Sequence, residues 1–170
     1  MTAEVRLMHY DPRWPQEFEQ TRSSILQSCE GWVVDVTHVG STAISGLVAR
    51  PIIDVVATVA DLAGWEIATT CLEGLNYRVD IREDVGDAPA WMRGGRRLIK
   101  PRHGDGTHHV YLFPGDSPAM QAIIRFRDLL ASDRNRALAY EEEKVSRWRS
   151  AGGDAVVYEH WKQSYFDDLA

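Results

Sequence analysis

Val33-Val34-Asp35-Val36-Thr37-His38-Val39-Gly40-Ser41-Thr42, followed shortly by Pro51-Ile52-Ile53-Asp54-Val55-Val56-Ala57-Thr58-Val59, is the stretch on which the fold turns. Val33 to Val39 is rich in β-branched residues and reads as a strand broken by Gly40. Pro51 to Val59 is more continuously apolar, the pattern of a strand buried on both faces, and the two strands should pair. Gly40, Ser41 and Thr42 end the first strand with a small loop whose N–H groups and hydroxyls can meet phosphate oxygens without obstruction. Asp54 lies inside the second apolar run, where a carboxylate is costly unless it is hydrogen-bonded, paired or bound to a metal. A cation held by Asp54 against a phosphate on the loop would satisfy both groups.

Outward from this pair, helices and strands alternate irregularly. Pro15 opens a first helix whose apolar face is Trp14, Phe18, Ile25, Leu26 and Cys29, and which ends before Gly31. Asp61 caps a second with Leu62, Trp65, Ala68, Leu72 and Leu75 inward and Gly74 near its end, after which Asn76-Tyr77 returns to strand. Arg96 to Pro101 and Thr107 to Pro114 form a hairpin across His103-Gly104-Asp105-Gly106, whose glycines permit positive φ. Asp116-Ser117-Pro118 opens a helix with Ile123, Phe126, Leu129 and Leu130 buried. Helices from about Asp133 to Ala151 and Ala155 to Leu169 follow, separated by Gly152-Gly153. This order predicts an α+β domain with a mixed sheet covered by helices and a helical C-terminal part. A Rossmann fold would need a Gly-rich turn leading straight into a helix, whereas this turn leads to a second strand.

The 170 residues, 44% hydrophobic and 26% charged, suit one soluble domain spanning 1–170. Twenty-five acidic against 19 basic residues give a formal charge of −6, which argues against nucleic acid or an anionic membrane as partner and confines any basic site to a local cluster. The N-terminus has no apolar core of a leader and no stretch reaches membrane-spanning length. Cys29 and Cys71 occupy apolar helical positions, which favours free thiols over a disulfide and a cytoplasmic setting.

Five segments carry a family resemblance: Tyr10-Asp11-Pro12-Arg13-Trp14-Pro15, the run His38 to Val55, His108-His109, Phe113-Pro114-Gly115, and Phe126-Arg127-Asp128-Leu129-Leu130. In this order, from about Tyr10 to Phe166, the chain resembles the GrpB family, a nucleotidyltransferase-like group also found fused to some dephospho-CoA kinases. The resemblance implies a nucleotidyltransferase-like sheet and a nucleotide or other phosphorylated small molecule as ligand. It also implies Mg²⁺ or Mn²⁺ at Asp54 and transfer to an acceptor the sequence does not identify. Arg50 is its phosphate-binding candidate, because the family commonly has a basic residue before this Pro. Active nucleotidyltransferases usually carry a second acidic residue two positions after the first, on the same strand face. Here that residue is Val56, which removes a ligand from a two-metal clamp and leaves one cation as the expectation.

Strand alternation places His109, Tyr111 and Phe113 on one face and His108, Val110 and Leu112 on the other, so one histidine faces the loop. His109 is the choice for positioning or deprotonating an acceptor, since related sequences often have His-x-His where this chain has His109 and Tyr111. His38 shares a face with Val34 and Val36 by period two and reads equally as a core histidine or as a support for the loop. Among Arg93, Arg96, Arg97, Lys100, Arg102 and His103, Arg97 or Lys100 is the one to turn toward the site. Tyr140 and Lys144 share a helix face and match a recurrent Tyr-x-x-x-Lys of the family, while the residues alone favour a surface lysine packing its stem on the ring. The six tryptophans are scattered and form no platform for single-stranded nucleic acid. Two alternatives to transfer stand: a non-catalytic nucleotide-sensing or interaction module, and a phosphate-ester hydrolase using Asp54 and His109 around one metal.

Overall fold

Proline in the first turn starts α1 (Trp14–Ser28), and the chain leaves it through buried Cys29 and Gly31, whose φ of +82° only glycine adopts freely. In the computed structural model, which describes residues 4–80, 92–158 and 160–161, five strands follow: β1 (Val33–Val39), β2 (Ile53–Val59), β3 (Arg78–Val79), β4 (Arg96–Lys100) and β5 (His108–Pro114). Their order in the sheet is β1-β2-β5-β4-β3. β1 pairs antiparallel with β2, β4 with β5 and β3 with β4, whereas β2 and β5 are parallel. A parallel neighbour needs a long crossover, and here α2 (Trp65–Gly74), β3 and β4 supply it. The sheet is therefore mixed and the fold α+β, as its element order predicts.

Side chains satisfy the first N–H groups of the 3₁₀ turn before α2 and of the last two long helices, whereas α1 has no side-chain cap. Asp61 accepts from Gly64 N–H at 2.8 Å before α2, Ser117 accepts from Met120 N–H at 3.2 Å at the start of α3 (Pro118–Ser132), and Asp133 caps α4 (Arg134–Ser150) through Asn135 and Arg136. Strand periodicity then sends residues to two cores. Ile53, Val55, Leu98, Val110 and Leu112 meet Ile25 of α1 and Leu72 of α2 on one face. Val39, Val56 and Phe113 meet Met92 and α3's Met120 and Ile123 on the other. A smaller cluster of Ile44, Leu47, Leu130, Ala137 and Tyr140 ties the β1–β2 connection to α3 and α4.

Several details differ from the sequence reading. A register shift between Val33 and Asp35 breaks the period of β1, so Val34 is 57% exposed and only Val36 keeps the inward face with His38. Leu62 lies in a short 3₁₀ turn ahead of α2 and is 74% exposed. In the β4–β5 connection Gly104 has positive φ and Gly106 does not. Gly106 is needed for space instead: a Cβ there would fall 2.7 Å from Ile99 Cγ2 and 3.1 Å from His109 Nε2. Residues 155–158 are helical, while Trp91 and the expected helix beyond position 161 lie outside the described residues.

Candidate functional site

β2 and β5 begin side by side, and their register pairs Asp54 with His109, with Val39 of β1 on the other flank of Asp54. Alternation turns Asp54, His109 and Tyr111 to the same face of the sheet. Asp54 Oδ1 lies 3.4 Å from His109 Nδ1 and accepts a hydrogen bond from the Tyr111 hydroxyl at 3.2 Å. The two side chains of the Asp–His pair retain 14% and 11% exposure, enough for a ligand to reach them from the rim.

Gly40 brings the loop to this carboxylate. Its backbone sits at φ +75° and ψ −175°, a region reserved for glycine, and a Cβ there would fall 2.7 Å from Asp54 Oδ2. Turn backbone and carboxylate thus adjoin on one rim. Beyond Gly40, the N–H groups of Ser41 and Thr42 donate to no acceptor among the described residues, since the one-turn 3₁₀ segment begins with Ala43 N–H on the Gly40 carbonyl.

The Thr42 side chain turns away from this rim. Its buried hydroxyl donates to the Ile52 carbonyl at 3.0 Å and lies 2.9 Å from His38 Nε2. Because the threonine has one proton and gives it to Ile52, His38 must donate through Nε2–H. His38 stacks on Phe18 of α1 at 4.8 Å, and burial, helped by nearby Arg127, pulls its pKa down to about 4 against the pull of Asp54, so the ring is neutral at pH 7. His38 is thus at once a buried, satisfied core histidine and a support for the loop through Thr42.

A stripe along α3 and α4 holds the same connection from outside. Arg127 Nη1 donates to the His38 carbonyl at 2.9 Å, Arg134 Nη1 to Ser45 O at 3.3 Å, and Glu141 Oε2 accepts from Val48 N–H at 2.6 Å. Lys144 is 1% exposed, contrary to the surface position read from the sequence. Its ammonium donates to the Val48 carbonyl and, at 3.1 Å, to Ser41 Oγ, and sits 5.2 Å from the Tyr140 ring centroid. The only sequence signal for this role was the Tyr140–Lys144 spacing. Ser41 Oγ, already accepting from the ammonium, keeps its own proton to give to a ligand.

The other candidates scatter. Arg97 shares the site's sheet face but is spent on a two-pronged pair with Asp80, which is 2% exposed. Lys100 and His108 face the opposite side, where Lys100 lies over Tyr77, and Arg96 lies over Trp65 and pairs with Glu66. Arg50, half-buried, immediately precedes Pro51 at the base of the loop. Val56 does lie on the face of Asp54, yet it is 1% exposed inside the apolar cluster under α3, so a second carboxylate would face hydrocarbon. Among the described residues no three His, Cys, Asp or Glu side chains gather as a metal cage. Asp54 and His109 offer one oxygen and one nitrogen, a set that suits Mn²⁺ better than oxygen-seeking Mg²⁺ and that needs ligand oxygens and water to complete a shell.

Residues 4–170 match the family profile described as GrpB protein. A UPF0157 protein of Streptomyces coelicolor is 32% identical over 155 residues, covering 91% of this chain and 76% of the relative. One from Halalkalibacterium halodurans is 32% identical over 171 residues, covering 95% and 83%. A dephospho-CoA kinase of Mycobacterium tuberculosis is 27% identical over 186 residues, which span 98% of this chain and 45% of the kinase. The crystal structure of the conserved protein GrpB from Enterococcus faecalis superposes with a TM-score of 0.81 over 96% of this chain and 94% of that one, at 23% identity, a likeness of fold. No helix among the described residues is long and apolar enough to cross a membrane.

Proposed function

This chain belongs to the GrpB family, and from that premise and the geometry of the rim we propose that it binds a nucleotide on the rim where the Gly40–Ser41 turn adjoins Asp54, with one divalent cation. The observation that carries the reading is the close approach of the Gly40 backbone to Asp54, too tight for a Cβ, which sets the turn's N–H groups and a carboxylate side by side on one rim. Phosphate oxygens accept from Ser41 and Thr42 N–H and from the Ser41 hydroxyl, whose oxygen Lys144 holds. Arg50 adds charge at the base of the loop. Asp54 and His109 would hold the cation, Mn²⁺ in preference to Mg²⁺, and the ion would neutralise phosphate charge there. The dephospho-CoA kinases, which by name act on dephospho-CoA, add support for a phosphorylated ligand.

In the transferase form of this reading, Asp54 alone would hold the cation, which leaves His109 to take the proton of the acceptor hydroxyl as its oxygen bonds to the α-phosphorus and pyrophosphate leaves. Asp54 and Tyr111 hold the imidazole in place. Val56 favours a second form, binding without turnover, because its apolar surroundings exclude the second carboxylate of a two-metal site. Calorimetry with a nucleoside triphosphate and Mn²⁺ tests the core claim: the parent should bind, and Asp54→Asn should lose the Mn²⁺-dependent part of the affinity. Equal affinity in both, or no binding at millimolar nucleotide, overturns it. Transferred nucleotide, free phosphate or intact nucleotide after incubation then separates transferase, hydrolase and binding module.

A further inference from the structure

Behind the rim, on the α1 face of the sheet, an open cleft of about 700 Å³ lies between α1 and the ends of β4 and β5. Its floor is aromatic, from Trp14 and Tyr77, both nearly fully buried. Its walls carry opposite charges. Glu17 projects from α1, and Lys100, at the end of β4, is held over the Tyr77 ring at 5.8 Å beside His108 of β5. Neither Glu17 nor Lys100 makes an ion pair among the described residues, although both are half-buried. The remaining charges at the mouth cancel, since Arg13 and Asp11 close on each other at 2.7 Å.

The polar groups between these walls are also open to a ligand. The hydroxyl of Thr21, one helical turn beyond Glu17, is buried and makes no side-chain hydrogen bond among the described residues, unlike Thr69 in α2, which bonds back to Trp65 O. Because the Thr107 hydroxyl gives its proton to the Lys100 carbonyl, His108 Nδ1–H donates to the Thr107 oxygen at 2.8 Å. The cleft therefore presents one cation, Lys100, and one anion, Glu17, over an apolar floor.

We propose that this cleft is a second ligand site, separate from the nucleotide site, for a zwitterionic small molecule whose amine meets Glu17 and whose carboxylate meets Lys100, with a carbon-rich body over Trp14 and Tyr77. Two opposite charges that face one cleft without pairing with each other are complementary to a ligand with the reverse pair. The volume falls in the range of small-molecule sites. The site is independent of Asp54, and neither proposal stands or falls with the other.

A ruler of ω-amino acids tests it. γ-Aminobutyrate, ε-aminocaproate and longer homologues are titrated into the whole protein while NMR follows the amides of α1 and β5. One chain length should bind best, with saturable shifts in both elements, and caproate or hexylamine alone should bind more weakly. Glu17→Gln and Lys100→Met should each cost about fivefold in affinity, the scale of a partly exposed ion pair. Combining Glu17→Lys with Lys100→Glu should restore binding, because the ligand then docks reversed. Thermal melting confirms that the variants fold. No saturable shift at tens of millimolar, equal binding of singly charged analogues, or a swap variant no better than the single ones overturns the proposal.

Discussion

Two connections flank the start of the central parallel strands, and they are built in opposite ways. The chain between β1 and β2 is tied from both sides: Thr42 and His38 fasten it from within, and Arg127, Arg134, Glu141 and Lys144 take up its backbone groups from α3 and α4. The chain between β4 and β5 is exposed from Arg102 to Asp105 and is held mainly by Arg102 on Glu73 O and by Thr107 on Lys100 O. The first carries the Gly40–Ser41 turn; the second leads into His108 and His109. Rigidity is thus concentrated where N–H groups must be aimed at a ligand, and a preorganised turn spends less entropy on binding than a mobile one.

The largest effect that can break this contrast is expected from Gly40→Ala. The methyl group would overlap the Asp54 carboxylate and the backbone would leave a glycine-only region. A loss of about 3–4 kcal/mol is expected, or roughly 10 °C in melting temperature for a domain of this size. Nucleotide affinity should fall with it. Wild-type stability in this variant would mean that turn and carboxylate are not held against each other.

Acid should loosen the first connection next. His38 has a folded pKa of about 4 against an ordinary 6.5, so between these values the unfolded chain holds a proton that the folded protein does not. Its contribution is complete above pH 6.5 and is lost as pH falls toward 4, up to about 3 kcal/mol. Denaturant melts of the parent and His38→Gln across this window check the point: the parent should be the steeper of the two. Parallel profiles would show that another group controls the acid response.

How much of this was legible in the sequence follows from the range of the interactions. The α+β order and the pairing of the first two strands depend on periods of two and on local breaks, which neighbouring residues display. The same period says that one of His108 and His109 faces Asp54, and the choice of His109 comes from the family resemblance. The burial of Lys144 depends on neither, because its partners Ser41 and Val48 lie on a connection that only the packing of α4 brings near. Tyr140 and Lys144 together look like a ring and a stem on a wet helix face. Thr42 is similar: whether its hydroxyl faces a ligand or the core is decided by His38 and the Ile52 carbonyl. The bulge in β1 that exposes Val34 leaves no mark in a run of valines.

The finest test of the contrast makes the same substitution once in each connection. Thr42→Val keeps the shape of the buried side chain but leaves His38 Nε2–H and the Ile52 carbonyl without their partner, in a place where Thr42 is only 1% exposed. Each buried group left unpaired costs about 1–3 kcal/mol. Thr107→Val removes bonds of similar length, to the Lys100 carbonyl at 3.3 Å and to His108 Nδ1 at 2.8 Å, but at an exposed site where water takes over both. Its cost should stay within about 0.5 kcal/mol, the usual range for a surface change. The expected gap of about 2 kcal/mol is read from two denaturation curves. A gap near zero would mean that water reaches Thr42, in which case the inner fastening of the turn is no firmer than the loop at the other strand.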